Sequence, residues 1–232
     1  MIIKRSVLAA GLTGLLGAAL LVSASPALAG SPPKPPTPAQ LRSALLQPED
    51  LGDDFEHNTI RNRELLSPRL AHTKACVKAM KGVKPLTRSK VATWLAREEA
   101  PEGVNEYVVS GTSAQISALE RAAKVMVRDC GHVNAGTKEI KQTIRKLSVG
   151  KLGDGAYGIR FRNVIPSVNP DPSMAVDIVI IRVKNTMITL EHNGFYGKFD
   201  ADLTRTAAEI ATTRLQEILD GSTSSAEHSV VV

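Results

Sequence analysis

Aromatic residues make up only 3% of this 232-residue chain, and it carries two cysteines and five histidines. So few rings leave little from which to build base-stacking platforms, and nucleic acid is not expected as a partner despite the net charge of +6. His57, His72, His132, His192 and His228 form no HExxH pair, no i,i+4 pair and no His-x-His step, so the spacing offers no metal motif. Gly111-Thr112-Ser113-Ala114-Gln115 lacks the second glycine of a nucleophile elbow, and Ser113 is better placed to cap a helix. Gly153-Asp154-Gly155 supplies one carboxylate where a calcium loop needs several, which leaves a turn. Phosphate loops and dinucleotide fingerprints are also missing. No catalytic residue, metal or cofactor is therefore assigned.

Residues 1–29 look like an export signal. Lys4 and Arg5 form a positive start, Val7 to Val22 is an apolar run, and Ala27-Leu28-Ala29 provides the small-x-small step at which such signals are cut. The rival reading, a membrane anchor, is disfavoured because the run is short for a span of about 20 residues. Cleavage after Ala29 leaves 232 − 29 = 203 residues and, without Lys4 and Arg5, a net charge of +6 − 2 = +4. The product is expected to be secreted and not membrane-spanning. Residues 30–39 read GSPPKPPTPA, a proline-rich linker in extended polyproline conformation. Residues 40–220 then form one α+β domain, and 221–232 read as a disordered tail.

The most apolar part of that domain is DIVIIRVKNTMITLEH, Asp177 to His192. Val176, Ile178 and Ile180 alternate with Val179, Ile181 and Val183, as expected of a central strand buried on both faces. After Lys184-Asn185 a second strand sets Ile188 and Leu190 against Met187, Thr189 and Glu191, which reads as one buried and one wetter face. Further strands are expected over 91–97, 104–109, 156–164 and, bulged, within 137–149. Helical spacing appears from Ala39 to Leu45, from Pro68 to Met80 with Gly82 as stop, from Ser113 to Asp129, and from about Asp200 to Gly221. The pattern predicts a twisted antiparallel sheet of about six strands with helices packed on it.

Cys76 and Cys130 are an even pair in a chain that reads as exported, which favours one disulfide; a free thiol or half of a metal site are the alternatives. The cations with most promise are Arg160, Arg162, Arg182 and Lys184. If they converge at a cleft they could hold a carboxylate, phosphate or sulfated glycan, since arginine forks grip such groups bidentately. The bland alternative has them paired with Asp177 and Glu191 across the sheet or facing water.

Leu45-Leu46-Gln47-Pro48-Glu49-Asp50-Leu51, the strand pair holding Trp94, the helix ending in Cys130, the Leu152-Gly153-Asp154 turn and Val179 to Asn185 ahead of a last helix occur in an order that resembles the PknH-like extracellular sensor domain of actinobacterial secreted proteins, lipoproteins and receptor kinases. The resemblance implies a twisted antiparallel sheet, a cleft for an unknown extracellular ligand, and no established catalysis. Two features depart from it. Better-known members carry a second disulfide starting in a Cys-x-Cys step, whereas this chain has Cys130-Gly131-His132 and no fourth cysteine. It also lacks a kinase domain, so sensing would need a separate membrane receptor. The expected function is a secreted, non-catalytic ligand-binding or sensor-type module acting at the cell envelope or outside the cell, its ligand unknown, with an anionic envelope component as one candidate; the alternatives are a secreted hydrolase or inhibitor with a dispersed site, and a structural envelope protein.

Overall fold

The computed structural model describes residues 35–58, 73–87, 91–97, 101–165, 167, 173–195 and 198–227. The export signal expected at 1–29, most of the linker expected at 30–39 and the start of the helix expected at Pro68 lie outside them. In chain order the elements are α1 (Pro38–Ser43), a 3-10 turn (Pro48–Asp50), β1 (Phe55–His57), α2 (Lys74–Val83), a second 3-10 turn (Lys84–Thr87), β2 (Val91–Arg97), β3 (Glu102–Ser110), α3 (Ser113–Cys130), β4 (His132–Gly136), β5 (Lys141–Leu147), β6 (Gly155–Val164), β7 (Met174–Val183), β8 (Thr186–Phe195) and α4 (Ala201–Glu227).

All eight strands among the described residues join one antiparallel sheet in the order β1-β2-β3-β8-β7-β6-β5-β4. The α+β class is thus as the sequence reads, with the β7–β8 hairpin at the centre. The two additional strands are the edges. Three residues of β1 offer no period, and β4 has one large apolar residue, Val133, so neither carries a pattern strong enough to read.

The sheet has a core on each side. On the first side α1, the first 3-10 turn and α4 pack on Val91, Leu95, Val104, Val108, Val179, Ile181, Ile188 and Leu190. On the second, α2 and α3 pack on Ile144, Ile159, Phe161, Val176, Ile178 and Ile180. The parity of each strand decides which side chains meet which helices. Met187, Thr189 and Glu191 on β8, read as a wetter face, are in fact wholly buried. Helices on both sides leave a central strand no wet face, whatever its alternation.

Helix limits follow local chemistry. Thr73 starts α2 and Thr112 starts α3, each accepting a backbone N–H three residues on; the cap is Thr112 rather than Ser113. Gly82 does not stop α2. It lies inside the helix with Ala122 of α3 against it, a Cβ there coming within 3.7 Å of the alanine Cβ. Likewise α4 passes through Gly221 to Glu227, since an interior glycine costs a helix about 1 kcal/mol and does not end it. Gly153 does have the expected turn role. Its φ is +51° and a Cβ would lie 2.2 Å from the Arg182 carbonyl oxygen.

Candidate functional site

On the α4 side of the sheet, register places polar residues in a transverse row. His192 on β8 stands opposite Asp177 on β7, Asp177 opposite Arg160 on β6, Arg160 opposite Arg145 on β5, and Arg145 opposite His132 on β4. Glu102, the first residue of β3, joins from the other end. At the end of β8 Phe195 bridges to Lys198, and a Cβ on Gly194 would meet the Lys198 carbonyl oxygen at 2.1 Å. That close approach brings Phe199 under the row, its ring stacked on His192 at 4.4 Å between centroids.

The inner end of the row is a closed relay. Glu102 Oε1 accepts the Asp200 backbone N–H at 2.6 Å and lies 3.1 Å from His192 Nε2; its Oε2 is ion-paired with Arg97 at 3.0 Å. Burial pushes the Glu102 carboxyl up, but the His192 and Asp200 hydrogen bonds and the His192 and Arg97 charges outweigh it and hold the group below its ordinary range. His192 Nδ1 lies 2.7 Å from Thr204 Oγ1 on α4, and the Thr204 hydroxyl donates to Asp177 Oδ2 at 2.8 Å. Asp177 in turn receives the Arg160 fork, with Nε at 2.6 Å. Glu102, His192 and Thr204 superficially form an acid, base and hydroxyl. Their exposures of 5%, 1% and 3% leave no approach for a substrate, and the hydroxyl proton is already directed to Asp177. The relay fastens the first turn of α4 to four strands.

The outer end is accessible and cationic. Arg160 and Arg162 both lie over the Phe199 ring, at 5.3 and 4.8 Å from its centroid. Arg160 is neutralised by Asp177, whose hydrogen bond raises the guanidinium above its usual range. Arg162 is held below it, by burial first and by the Arg160 charge second. No carboxylate among the described residues forms an ion pair with Arg162.

The four cations singled out in the sequence do not meet at one cleft. Arg160 and Arg162 share the α4 side, but Arg182 pairs with Gly155 in register and so projects from the α2–α3 side. There its guanidinium donates to Glu120 Oε2 at 2.7 Å, beside the Tyr157 hydroxyl donating to Oε1 at 2.5 Å. The Tyr157 hydrogen bond leads the effects that hold Glu120 down to about 2. Lys184 sits in the β7–β8 turn with φ +52°, its backbone N–H bonded to Asp154 and its ammonium 2.5 Å from Asp220. Alternation showed each pair sharing a face; which pair faced which helix depends on register, which no local pattern contains. The cross-strand pairing weighed as the bland alternative holds for Arg160.

The residues missed in the sequence are Glu102, His192, Thr204 and Phe199. His192 carried a usable signal, since it is in phase with Ile188 and Leu190 on the core side of β8. The cysteines are joined as read, Cys76 to Cys130, linking α2 to the end of α3. An open depression of about 370 Å³ on α2, bordered by Thr73, Lys74, Val77, Lys78 and Lys81, lies on the side of the sheet opposite the cationic row. No described helix is long and apolar enough to cross a membrane.

No family model matches the chain, and no curated protein matches its sequence. Among solved structures the chain matches the extracellular domain of PknH from Mycobacterium tuberculosis, with a TM-score of 0.47 and 11% identity over 82% of this chain and 100% of that one. A mutant of protein Mog1 is a more distant match, with a TM-score of 0.25 and 10% identity over 57% of this chain and 77% of the other.

Proposed function

We propose that the chain is a secreted, non-catalytic ligand-binding module of extracellular sensor type, and that its ligand is an anion held by Arg162 and Arg160 above Phe199. The observation that carries this reading is Arg162 itself: a partly buried guanidinium on an aromatic ring, beside a second arginine, without a carboxylate of its own among the described residues. Burying Arg162 beside Arg160, with Asp177 already engaged by Arg160, is unfavourable, and the arrangement is offset when an acidic group reaches the Arg162 fork. The disulfide supports residence in an oxidising compartment. Binding by contact also fits the closed relay, whose hydroxyl and imidazole are shut away from any substrate.

The test is a titration with sodium glucuronate followed by amide NMR. The expected result is saturable shifts at β6 and Phe199 that weaken about tenfold or more in Arg162→Gln, the loss of one desolvated charge-assisted bond. Equal binding by the variant, or shifts confined to the Lys74, Lys78 and Lys81 surface of α2, would remove the assignment.

A further inference from the structure

The two cores do not cover the sheet equally. On the α2–α3 side, Val133, Ile144, Ile159 and Phe161 of β4 to β6 are buried. On the other side α4 lies over β7 and β8, and β4 to β6 present His132, Asn134, Lys141, Thr143, Arg145, Arg160 and Arg162. His132, Asn134, Lys141 and Arg145 are exposed, and Thr143, Arg160 and Arg162 are partly exposed. Among the described residues, the only carboxylate in register with this area is Asp177 at its inner margin, already engaged by Arg160. Glu139, in the β4–β5 turn, is bonded to the Thr137 hydroxyl.

Two details set this surface apart from a solvated basic face. Arg145 stands directly opposite Arg160 on the neighbouring strand, a like-charge pairing that Asp177 offsets on the Arg160 side. Among the described residues Arg145 is moreover pinned by neutral acceptors only: one terminal nitrogen donates to the Val133 and Ile144 carbonyls at 2.9 Å each, and the other to the Asn134 side chain. It is held in place with no described carboxylate to compensate its charge, which is preorganisation for an anion. With strands about 4.8 Å apart, Arg160 and Arg145 form successive steps of a ladder running from Phe199 toward the β4 edge.

We infer that this open sheet face is a docking surface for a linear acidic polysaccharide laid over β6 and β5, with one acidic group at Arg162 and Arg160 and others at Arg145 and Lys141. The inference rests on the anion site proposed above and extends it from a single group to a polymer. Charge complementarity selects a polyanion. A single-stranded nucleic acid is a poorer fit, because its bases need exposed rings to stack on and Phe199 is already occupied by His192 and two arginines.

The experiment compares a short linear oligouronate, monomeric glucuronate and an oligothymidylate as probes on the full exported chain, with Arg145→Gln, Lys141→Gln and Arg162→Gln variants. Expected are binding of the oligouronate at least about tenfold tighter than the monomer, through linked contacts, and loss of that gain in Arg145→Gln and Lys141→Gln, with the monomer still binding and weakened less than the oligouronate. Retained monomer binding also shows that those variants are folded. Arg162→Gln should weaken both sugars. An oligouronate no tighter than the monomer, with the monomer still dependent on Arg162, overturns the polymer inference and leaves the single site standing. Monomer binding indifferent to Arg162 overturns the site itself. Oligothymidylate binding as tightly as the oligouronate, with the same dependence on Arg145, overturns the choice of polysaccharide.

Discussion

Glu106 sits on β3 beneath the first 3-10 turn and α4, wholly buried, with Oε2 accepting the Leu46 backbone N–H at 2.7 Å. Its second oxygen has no hydrogen-bond partner among the described residues. Arg214 on α4 and Asp50 in the 3-10 turn act on it with opposite signs, and Arg214 is committed to Asp50 at 2.7 Å. Burial dominates and pushes the carboxyl from 4.5 up to about 8. The unfolded chain ionises this group above about pH 4.5 and the folded chain only above about 8, so in that interval the folded state holds the extra proton and stability falls as pH rises. At about 1.4 kcal/mol per pH unit the interval sets a ceiling of about 5 kcal/mol, which water entering the site would lower. Glu106→Gln keeps the shape and removes the titration. Urea unfolding between pH 4.5 and 9 should therefore give a profile falling by several kcal/mol for the native chain and a flatter one for the variant, the two meeting within about 1 kcal/mol at the acid end. Parallel profiles would show that Glu106 is ionised in the folded protein and refute the argument. Glu102 and Glu120 do not obscure the test, because their depressed values act only as pH falls below the ordinary carboxylate range.

Reducing the Cys76–Cys130 bridge, which closes a separation of 54 residues, should cost about 4 kcal/mol on the chain-entropy argument, read as a lower urea midpoint in reductant. An unchanged midpoint would mean that α2 and α3 hold together without it. Asp177→Asn should cost about 3–5 kcal/mol, since it breaks an ion pair whose carboxylate is wholly buried and leaves the partly buried Arg160 guanidinium without its charge partner. Stability within about 1 kcal/mol of the parent would show that water reaches Arg160 freely.

How far the sequence reaches is seen best along the central hairpin. Ten-residue strands such as β7 carry enough apolar residues for both faces to be read, and the pairing of Cys76 with Cys130 follows from their being the two cysteines of the sequence. Edges fared differently: β1 is ordered by backbone pairing to β2 over Phe55 to His57, an interaction that a local pattern does not contain. The site was half legible. Arg160 and Arg162 are recognisable as neighbours two apart on one strand, but Thr204 meets Asp177 from 27 residues away and Glu102 meets His192 from 90, contacts set by register and helix placement. Arg182 shows the same limit, since only strand register reveals that it looks away from Arg160.

The single covalent tie lies entirely on one side of the sheet, between α2 and α3, while α4 is held on the opposite side by non-covalent contacts alone: apolar packing, the Thr204 clasp and the pairs Arg214–Asp50 and Lys184–Asp220. The protein is mechanically lopsided. Tension applied through its carboxyl end should peel α4 from β7 and β8 before disturbing the sulfur-linked layer, so the side that carries the arginine ladder is also the side that yields first.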